Sequence, residues 1–288
     1  MRSLEPKGRY FGHDTLGGQM SVTLLTGKSL RMARLSRRAD NRYLFVPLDH
    51  SISDGPIGTA AAFNRLIEDI SDGGGDAIVV HKGRARMVDP ASLGDCSLVV
   101  HLSASTTHAS DRDAKVLVGG VDEAIRLGAD AVSVHVNIGS ETEAAQLADL
   151  GAVAAACADW GMPLLAMIYP RGPRISDPGD PALLAHVVGI AADLGADLVK
   201  TVLATPAERM AQVVLSSPIP VVVAGGAAVE GGLAEFATSA LAAGCQGVAV
   251  GRRVFESPDP RHAVRELAGV IHGPRISDSL RKELVGAP

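Results

Sequence analysis

Lys200 lies in an apolar run, ADLVKTV, spanning residues 196–202. Ordinary cores almost never hold a lysine that lacks a partner. Taking an ammonium out of water favours its neutral form, and a neutral amine attacks carbonyl carbon. The other reading is a lysine at a strand end that reaches solvent or pairs with a carboxylate. Asp49 and Tyr169 follow two further apolar runs. A carboxylate and a phenol can move the protons that amine–ketone condensation requires. Taken singly, Asp49 reads equally as a loop cap and Tyr169 as an aromatic at a rim. Gly225 and Gly226 follow VVVA, and Gly251 and Arg252 follow GVAV. Backbone N–H groups at such glycines can approach a phosphate, assisted by the Arg252 charge, although tight turns would use the same residues.

Four histidines, His50, His81, His101 and His135, also stand at or near the ends of apolar runs. Three of them could ligate zinc and make a metal-dependent lyase or hydrolase. No HxH or HExxH spacing supports this, so no metal ligand is assigned. His50 and His135 are instead weaker candidates for substrate binding. Arg171 and Asp54 stand on loops after such runs and could meet charged groups of a substrate, or be ordinary solvated loop charges.

The elements that would position these residues alternate regularly. Apolar runs occur at Tyr43–Leu48, Ala77–Val80, Ser97–Leu102, Ala131–Val136, Pro163–Ile168, Asp197–Val202, Ile219–Ala224 and Gly247–Val250. Between most of them lie helix-length, alanine-rich segments. Unbroken Val/Ile/Leu runs mark parallel strands covered on both faces. GAD precedes two of the runs, at 128–130 and 195–197, with GGD at 74–76, where glycine fits a helix C-cap. Eight strands alternating with helices predict a (β/α)8 barrel, with an open doubly wound sheet as the alternative. No GxGxxG follows a strand, which favours the barrel. Its active site would lie at the C-terminal strand ends, where the polar residues above recur.

The barrel is expected over residues 41–273. Residues 1–40 would form an N-terminal arm and an amphipathic helix over Met20–Arg38, burying Leu24, Leu25, Met32 and Leu35. Arg31, Arg34, Arg37 and Arg38 would be the solvated side of that helix. Residues 274–288 would be a polar tail.

Composition narrows the function classes. The 288 residues carry a net charge of -5, with no basic surplus of the kind that nucleic acid attracts. Three scattered cysteines without a CxxC pair fit a reducing, cytoplasmic setting rather than a disulfide framework. The most apolar stretch, 151–168, is broken by Asp159, Gly161 and Pro163, so no membrane span is expected.

Seven segments together resemble the archaeal-type class I fructose-bisphosphate aldolase family. They are VPLDHSISDGP (46–56), HLSAST (101–106), GADAVSVHVNIGS (128–140), WGMPLLAMIYPRG (160–172), GADLVKT (195–201), PVVVAGG (220–226) and GVAVGRRVF (247–255). The resemblance runs from about Tyr43 to Ala268. It implies that Lys200 forms the Schiff base, that Tyr169 transfers a proton and that Asp49 assists. It implies that Gly225, Gly226, Gly251 and Arg252 hold a phosphate, with no cofactor beyond the covalent imine. The likeness is greatest to two branches that use L-aspartate 4-semialdehyde. One is the 2-amino-3,7-dideoxy-D-threo-hept-6-ulosonate synthases. The other is similar to the grixazone-pathway enzyme, which takes dihydroxyacetone phosphate and serves aminohydroxybenzoate-type secondary metabolism. Ser51, Ala104–Ser105 and AGGAAVEGG (224–232) depart from the first branch's usual glycines and lysine. These departures favour the second branch, with the heptulosonate synthase, fructose-bisphosphate aldolase and a sugar-phosphate-binding regulatory barrel as alternatives. The family also implies a homo-oligomer, a pentamer or decamer.

Overall fold

A computed structural model describes residues 26–226 and 231–273. The expected arm, Leu24 and Leu25, residues 227–230 and the tail lie outside the described residues. Eight parallel strands close into a barrel: β1 (Tyr43–Pro47), β2 (Ala77–His81), β3 (Ser97–His101), β4 (Ala131–Ile138), β5 (Leu164–Pro170), β6 (Leu198–Thr201), β7 (Val221–Ala224) and β8 (Gly247–Ala249). All eight coincide with the apolar runs. Each strand pairs with its sequence neighbours, and β8 closes on β1 with Tyr43 opposite Gly247.

The long helices are α1 (Thr26–Leu35), α2 (Phe63–Gly73), α3 (Val121–Arg126), α4 (Glu143–Trp160), α5 (Pro181–Asp193), α6 (Met210–Ser216), α7 (Leu233–Ala242) and α8 (Pro260–His272). α5 and α8 start on Asp-Pro, where the aspartate accepts backbone N–H groups and the proline sits at the first helical position. Alternate strand residues face opposite ways. Leu44, Val46, Ile78, Val80 and Val132 pack outward in the layer beneath the helices, whereas Tyr43, Phe45, Val79, Val99 and Leu165 fill the barrel interior. Cys96, Cys157 and Cys245 are free and buried. Among the described residues no helix is long and apolar enough to cross a membrane.

The end where the strands begin is closed by α1, whose Leu35 is buried and whose Met32 packs against the interior cluster. The expected helix thus ends at Leu35 rather than Arg38. Its arginines differ from the expected solvated side: Arg31 donates to the Trp160 and Gly161 carbonyls, Arg34 pairs with Asp130 at 3.0 Å, and Arg37 donates to the Ser71 and Gly75 carbonyls. Arg38 donates to Gly273 O at 3.1 Å. Orphan carbonyls at helix ends attract such donors, which sequence periodicity does not register.

The GAD aspartates explain the rest of this end. Asp76, Asp130 and Asp197 precede β2, β4 and β6, and each accepts a backbone N–H from the start of the preceding strand: Leu44 at 2.6 Å, Leu98 at 3.2 Å and Leu164 at 2.9 Å. Before β8, Gln246 Oε1 does the same for Val221 of β7 at 2.8 Å. Every even strand therefore brings a side-chain acceptor to the first turn of its odd neighbour. Lys28 of α1 adds an ion pair to Asp197 at 2.9 Å. His272, at the end of α8, lies between Asp40 (Nδ1, 2.7 Å) and Asp76 (Nε2, 3.1 Å), the second contact being electrostatic rather than a formed hydrogen bond.

Candidate active site

At the opposite end, the loops after the strands surround a cavity of about 700 Å³. Lys200, Tyr169, Asp49, Gly225, Gly226, Gly251, Arg252, His50, His135, Arg171 and Asp54 all line it. Register explains the convergence. Lys200 on β6 stands opposite Met167 on β5, which stands opposite His135 on β4, while Tyr169 stands opposite Asn137. These residues share the inward face of adjacent strands.

Lys200 is 6% exposed, and its amine lies 3.8 Å from the Met167 sulfur. No carboxylate pairs with it among the described residues, so the structure contains a buried amine with only a weak acceptor beside it. Asp49 ends β1. Burial alone would raise its pKa, but His101, Lys200, His50 and His81, the imidazoles being protonated in the acid range where Asp49 titrates, outweigh that and bring it down to about 2. Its carboxylate is therefore ionised at neutral pH. Oδ1 lies 3.5 Å from His50 Nδ1 and Oδ2 lies 3.8 Å from His101 Nε2, both beyond good hydrogen-bond geometry.

The histidines are neutral supports. Burial drives His101 down to about 4, against the opposing pull of Asp49, and its Nδ1 lies 2.8 Å from Ser133 Oγ. His81 packs edge-on to the His101 ring, with centroids 5.2 Å apart. Burial, Lys115 and His101 hold His135 well below its usual value. His135 Nε2 donates to Asn137 Oδ1 at 2.9 Å, because Asn137 directs its NH₂ to the Asp113 carbonyl. Its ring lies beside Tyr169, centroids 5.0 Å apart, and the Arg171 guanidinium covers the other part of Tyr169 at 5.4 Å. Among the described residues, no group of three or more His, Cys, Asp or Glu side chains is arranged to hold a metal ion.

Of the cavity's side-chain atoms, Asp49 Oδ1, His50 Nδ1 and His81 Nδ1 are buried without a hydrogen-bond partner among the described residues. A buried polar atom left unpaired costs about 1–3 kcal/mol, so such a cluster signals a site that a ligand completes.

At the β7–β8 side the glycines divide their roles. The Gly225 N–H already donates to Ala249 O at 3.0 Å and its missing Cβ makes way for Val250 and Phe236, so Gly225, expected to hold phosphate, offers it neither a free donor nor space. A Cβ at Gly226 would meet only open space, whereas one at Gly251 would collide with the Pro47 carbonyl and the His50 ring. Of the two successive arginines, Arg252 lines the cavity and Arg253 turns away to donate to Gly231 O at 2.7 Å.

Several cavity residues escaped the sequence reading. Arg112, Asp113 and Lys115 come from the loop between β3 and α3, where Ser103–Ala104 pairs antiparallel with Val116–Leu117. Ser105 and Lys115 flank this hairpin, and Lys115 Nζ donates to Ser105 Oγ. In the sequence Ser105 stands out only as a departure from a glycine pair. The apolar VLV at 116–118 beside Lys115 was the available signal.

Comparison with known proteins agrees with this geometry. The family described as DeoC/LacD family aldolase matches residues 43–257. The chain is 51% identical over 247 residues to the 2-amino-4,5-dihydroxy-6-oxo-7-(phosphonooxy)heptanoate synthase of Streptomyces griseus, covering 85% of this chain and 90% of that one. It is 41% identical over 252 residues to 2-amino-3,7-dideoxy-D-threo-hept-6-ulosonate synthase 1 of Archaeoglobus fulgidus, covering 86% and 92%. Among solved structures, an archaeal fructose-1,6-bisphosphate aldolase with its catalytic lysine covalently bound to the carbinolamine intermediate superposes with a TM-score of 0.77. It is 26% identical and covers 85% of this chain and 100% of that one. The chain belongs to the DeoC/LacD aldolase family and is a lyase of the class I, Schiff-base type.

Proposed function

We propose that the chain joins dihydroxyacetone phosphate to L-aspartate 4-semialdehyde, giving 2-amino-4,5-dihydroxy-6-oxo-7-(phosphonooxy)heptanoate. The observation that carries this reading is the convergence of the buried Lys200 amine, the ionised Asp49 and the Tyr169 phenol in one cavity, in a chain 51% identical to the synthase of that product.

Lys200 Nζ attacks the ketone carbon of the donor and water leaves, forming an iminium. The iminium draws electrons from the adjacent carbon, which loses a proton and becomes an enamine. That carbon bonds to the aldehyde carbon of the acceptor, and the new alkoxide takes up a proton. Water then hydrolyses the iminium and frees Lys200. The product contains every atom of the two substrates. Tyr169 moves protons at the reacting carbons, positioned by the His135 ring and the Arg171 guanidinium. Asp49, ionised in the resting enzyme, stabilises the iminium and carries protons to and from the carbinolamine by taking up a proton in one step and returning it in the next. Gly226 and Gly251 backbone groups and the Arg252 guanidinium hold the donor phosphate, with the open space beside Gly226 receiving it.

This synthesis fits aminohydroxybenzoate-type secondary metabolism in the cytoplasm, in a pentamer or decamer whose mass sedimentation would give. Purified protein with both substrates should yield a seven-carbon amino-keto acid phosphate by mass spectrometry. Equal or better use of glyceraldehyde 3-phosphate would instead make it a fructose-bisphosphate aldolase. An inert dihydroxyacetone phosphate with an active deoxy-ketose phosphate donor would make it the heptulosonate synthase, the reading that the Archaeoglobus likeness favours. Turnover should survive exhaustive EDTA treatment. Loss on chelation with recovery on zinc would transfer the chemistry to the histidines.

A further inference from the structure

We infer that Lys115, seated on Ser105, is the residue that recognises the carboxylate of the acceptor, with Arg171 beside it and Asp113 and Asp54 taking the acceptor's ammonium. The inference rests on the condensation proposed above.

The cavity has two cationic sides. Arg252 stands on the β7–β8 side, where Gly226 leaves room for a phosphate. Lys115, Arg171 and Arg112 stand on the side formed by the loops after β3 and β5. None of these three cations has an ion-pair partner among the described residues, in contrast to Lys28, Arg34 and Arg261 elsewhere on the barrel. Two separated cationic sides suit two substrates that each carry an anionic group. The second side also holds carboxylates, since Asp113 and Asp54 line it too. A mixture of signs fits the zwitterionic end of an α-amino acid better than it fits a second phosphate, which would be repelled by both aspartates.

Lys115 is also held in place more firmly than a loop lysine usually is. The Asp113 carbonyl accepts from Asn137 Nδ2 at 2.8 Å and from the buried Gln146 Nε2 at 2.9 Å. Asn137 is the same side chain that orients His135, so the loop bearing Lys115 is anchored to the strand that faces Tyr169. Thr107 N donates to Ser53 O, closing the loop against the end of β1. Burial, followed by the Arg171 charge, lowers the Lys115 pKa, while Asp113, Asp49 and Asp54 oppose this. An arriving carboxylate would restore the favourable environment for its ammonium. A preorganised, incompletely compensated cation is the form that a specific anion site takes.

The test uses the purified full chain as wild type, Lys115→Met and Lys115→Arg. The probes are L-homoserine, which keeps the acceptor's amino and carboxylate groups but cannot react as an aldehyde, and 3-aminopropan-1-ol, which lacks the carboxylate. Calorimetry should show L-homoserine binding wild type and Lys115→Arg, and binding Lys115→Met about 10–100-fold more weakly, the worth of one charge-assisted hydrogen bond. The weak binding of 3-aminopropan-1-ol should not change. With aspartate semialdehyde as substrate, the apparent KM should rise by a similar factor, while borohydride trapping of dihydroxyacetone phosphate on Lys200 stays at the wild-type level. Equal homoserine affinity in Lys115→Met, no homoserine binding to wild type, or an equal loss for both probes would overturn the assignment. Wild-type protein that fails to condense the two substrates would overturn the proposed reaction instead, and homoserine titration would still decide whether Lys115 forms a carboxylate site.

Discussion

Where the strands begin, Asp76, Asp130 and Asp197 each accept a strand N–H and each meet a cationic side chain, from His272, Arg34 and Lys28 respectively. Where the strands end, Lys200, Arg171, Lys115 and Arg252 have no carboxylate partner at ion-pair distance among the described residues, and Asp49 Oδ1, His50 Nδ1 and His81 Nδ1 go unpaired, against His272 Nε2 alone among the groups named at the other end. Both ends draw on aspartate, histidine, lysine and arginine. The difference is that the charges at one end are paired within the chain, whereas on the function proposed above those at the other are left for substrate. Stability and chemistry are thus separated along the barrel axis, and substitutions at the two ends should fail in opposite ways.

The largest contrast should come from Lys200→Arg. A guanidinium stays protonated and cannot form the imine, so turnover should vanish and borohydride with dihydroxyacetone phosphate should add no mass to the Lys200 peptide. The urea midpoint should fall little, because no ion pair is lost. Persistent labelling at another lysine would remove Lys200 from the mechanism. Tyr169→Phe keeps the ring against His135 and deletes only the hydroxyl. It should lower kcat by roughly two to four orders of magnitude while leaving imine trapping intact. A near wild-type rate would make Tyr169 a packing residue.

The converse experiment is Asp76→Ala. It strands the Leu44 N–H and leaves His272 with one carboxylate, and breaking a buried charged contact costs about 3–5 kcal/mol. The urea midpoint should drop clearly, yet kcat per folded molecule should hold. Loss of kcat without loss of stability would erase the division between the two ends.

The smallest effect is a pH dependence. Burial works against the His272 charge, but Asp76 and Asp40 outweigh it and raise the pKa above the ordinary value. A raised pKa stabilises the fold fully below the unfolded value of about 6.5 and loses that contribution as pH climbs through the folded value. Asp40 is shifted the other way, down, by His272, the Arg42 N–H and Ser36 against the opposing effect of burial. Its own contribution is present above about pH 3.9 and lost as pH falls through the lowered value. Stability should therefore decline gently on the alkaline side of 6.5 in wild type and stay flat there in His272→Gln. Parallel curves would show that His272 carries no charge between Asp40 and Asp76.

The strands were legible because parallel strands covered on both faces become unbroken apolar runs, such as VVVA at 221–224. Lys200, Asp49 and Tyr169 were legible because each interrupts or ends such a run. Lys115 was not, because its place depends on a hairpin between Ser103–Ala104 and Val116–Leu117 and on the hold of Asn137 and Gln146 on Asp113, all contacts between distant parts of the chain. Arg252 was legible from its place directly after Gly251, but the turn of Arg253 to the Gly231 carbonyl was not, because it depends on a loop distant in the chain. The arginines of α1 looked solvated because helical periodicity reports only which face is polar, not which carbonyls lie opposite it.

The acceptors at Asp76, Asp130, Asp197 and Gln246 have a meaning for how the chain could be divided. Each ties an even strand to the odd strand before it, so the barrel consists of four consecutive two-strand modules. A cut after β2, β4 or β6 leaves every module whole, while a cut after β1, β3, β5 or β7 severs one. Fragments parted after α4, near Gly161, would each retain two intact modules and only need to find each other across α1, whereas fragments parted before β4 would arrive at reassembly with Leu98 and Asp130 on different pieces.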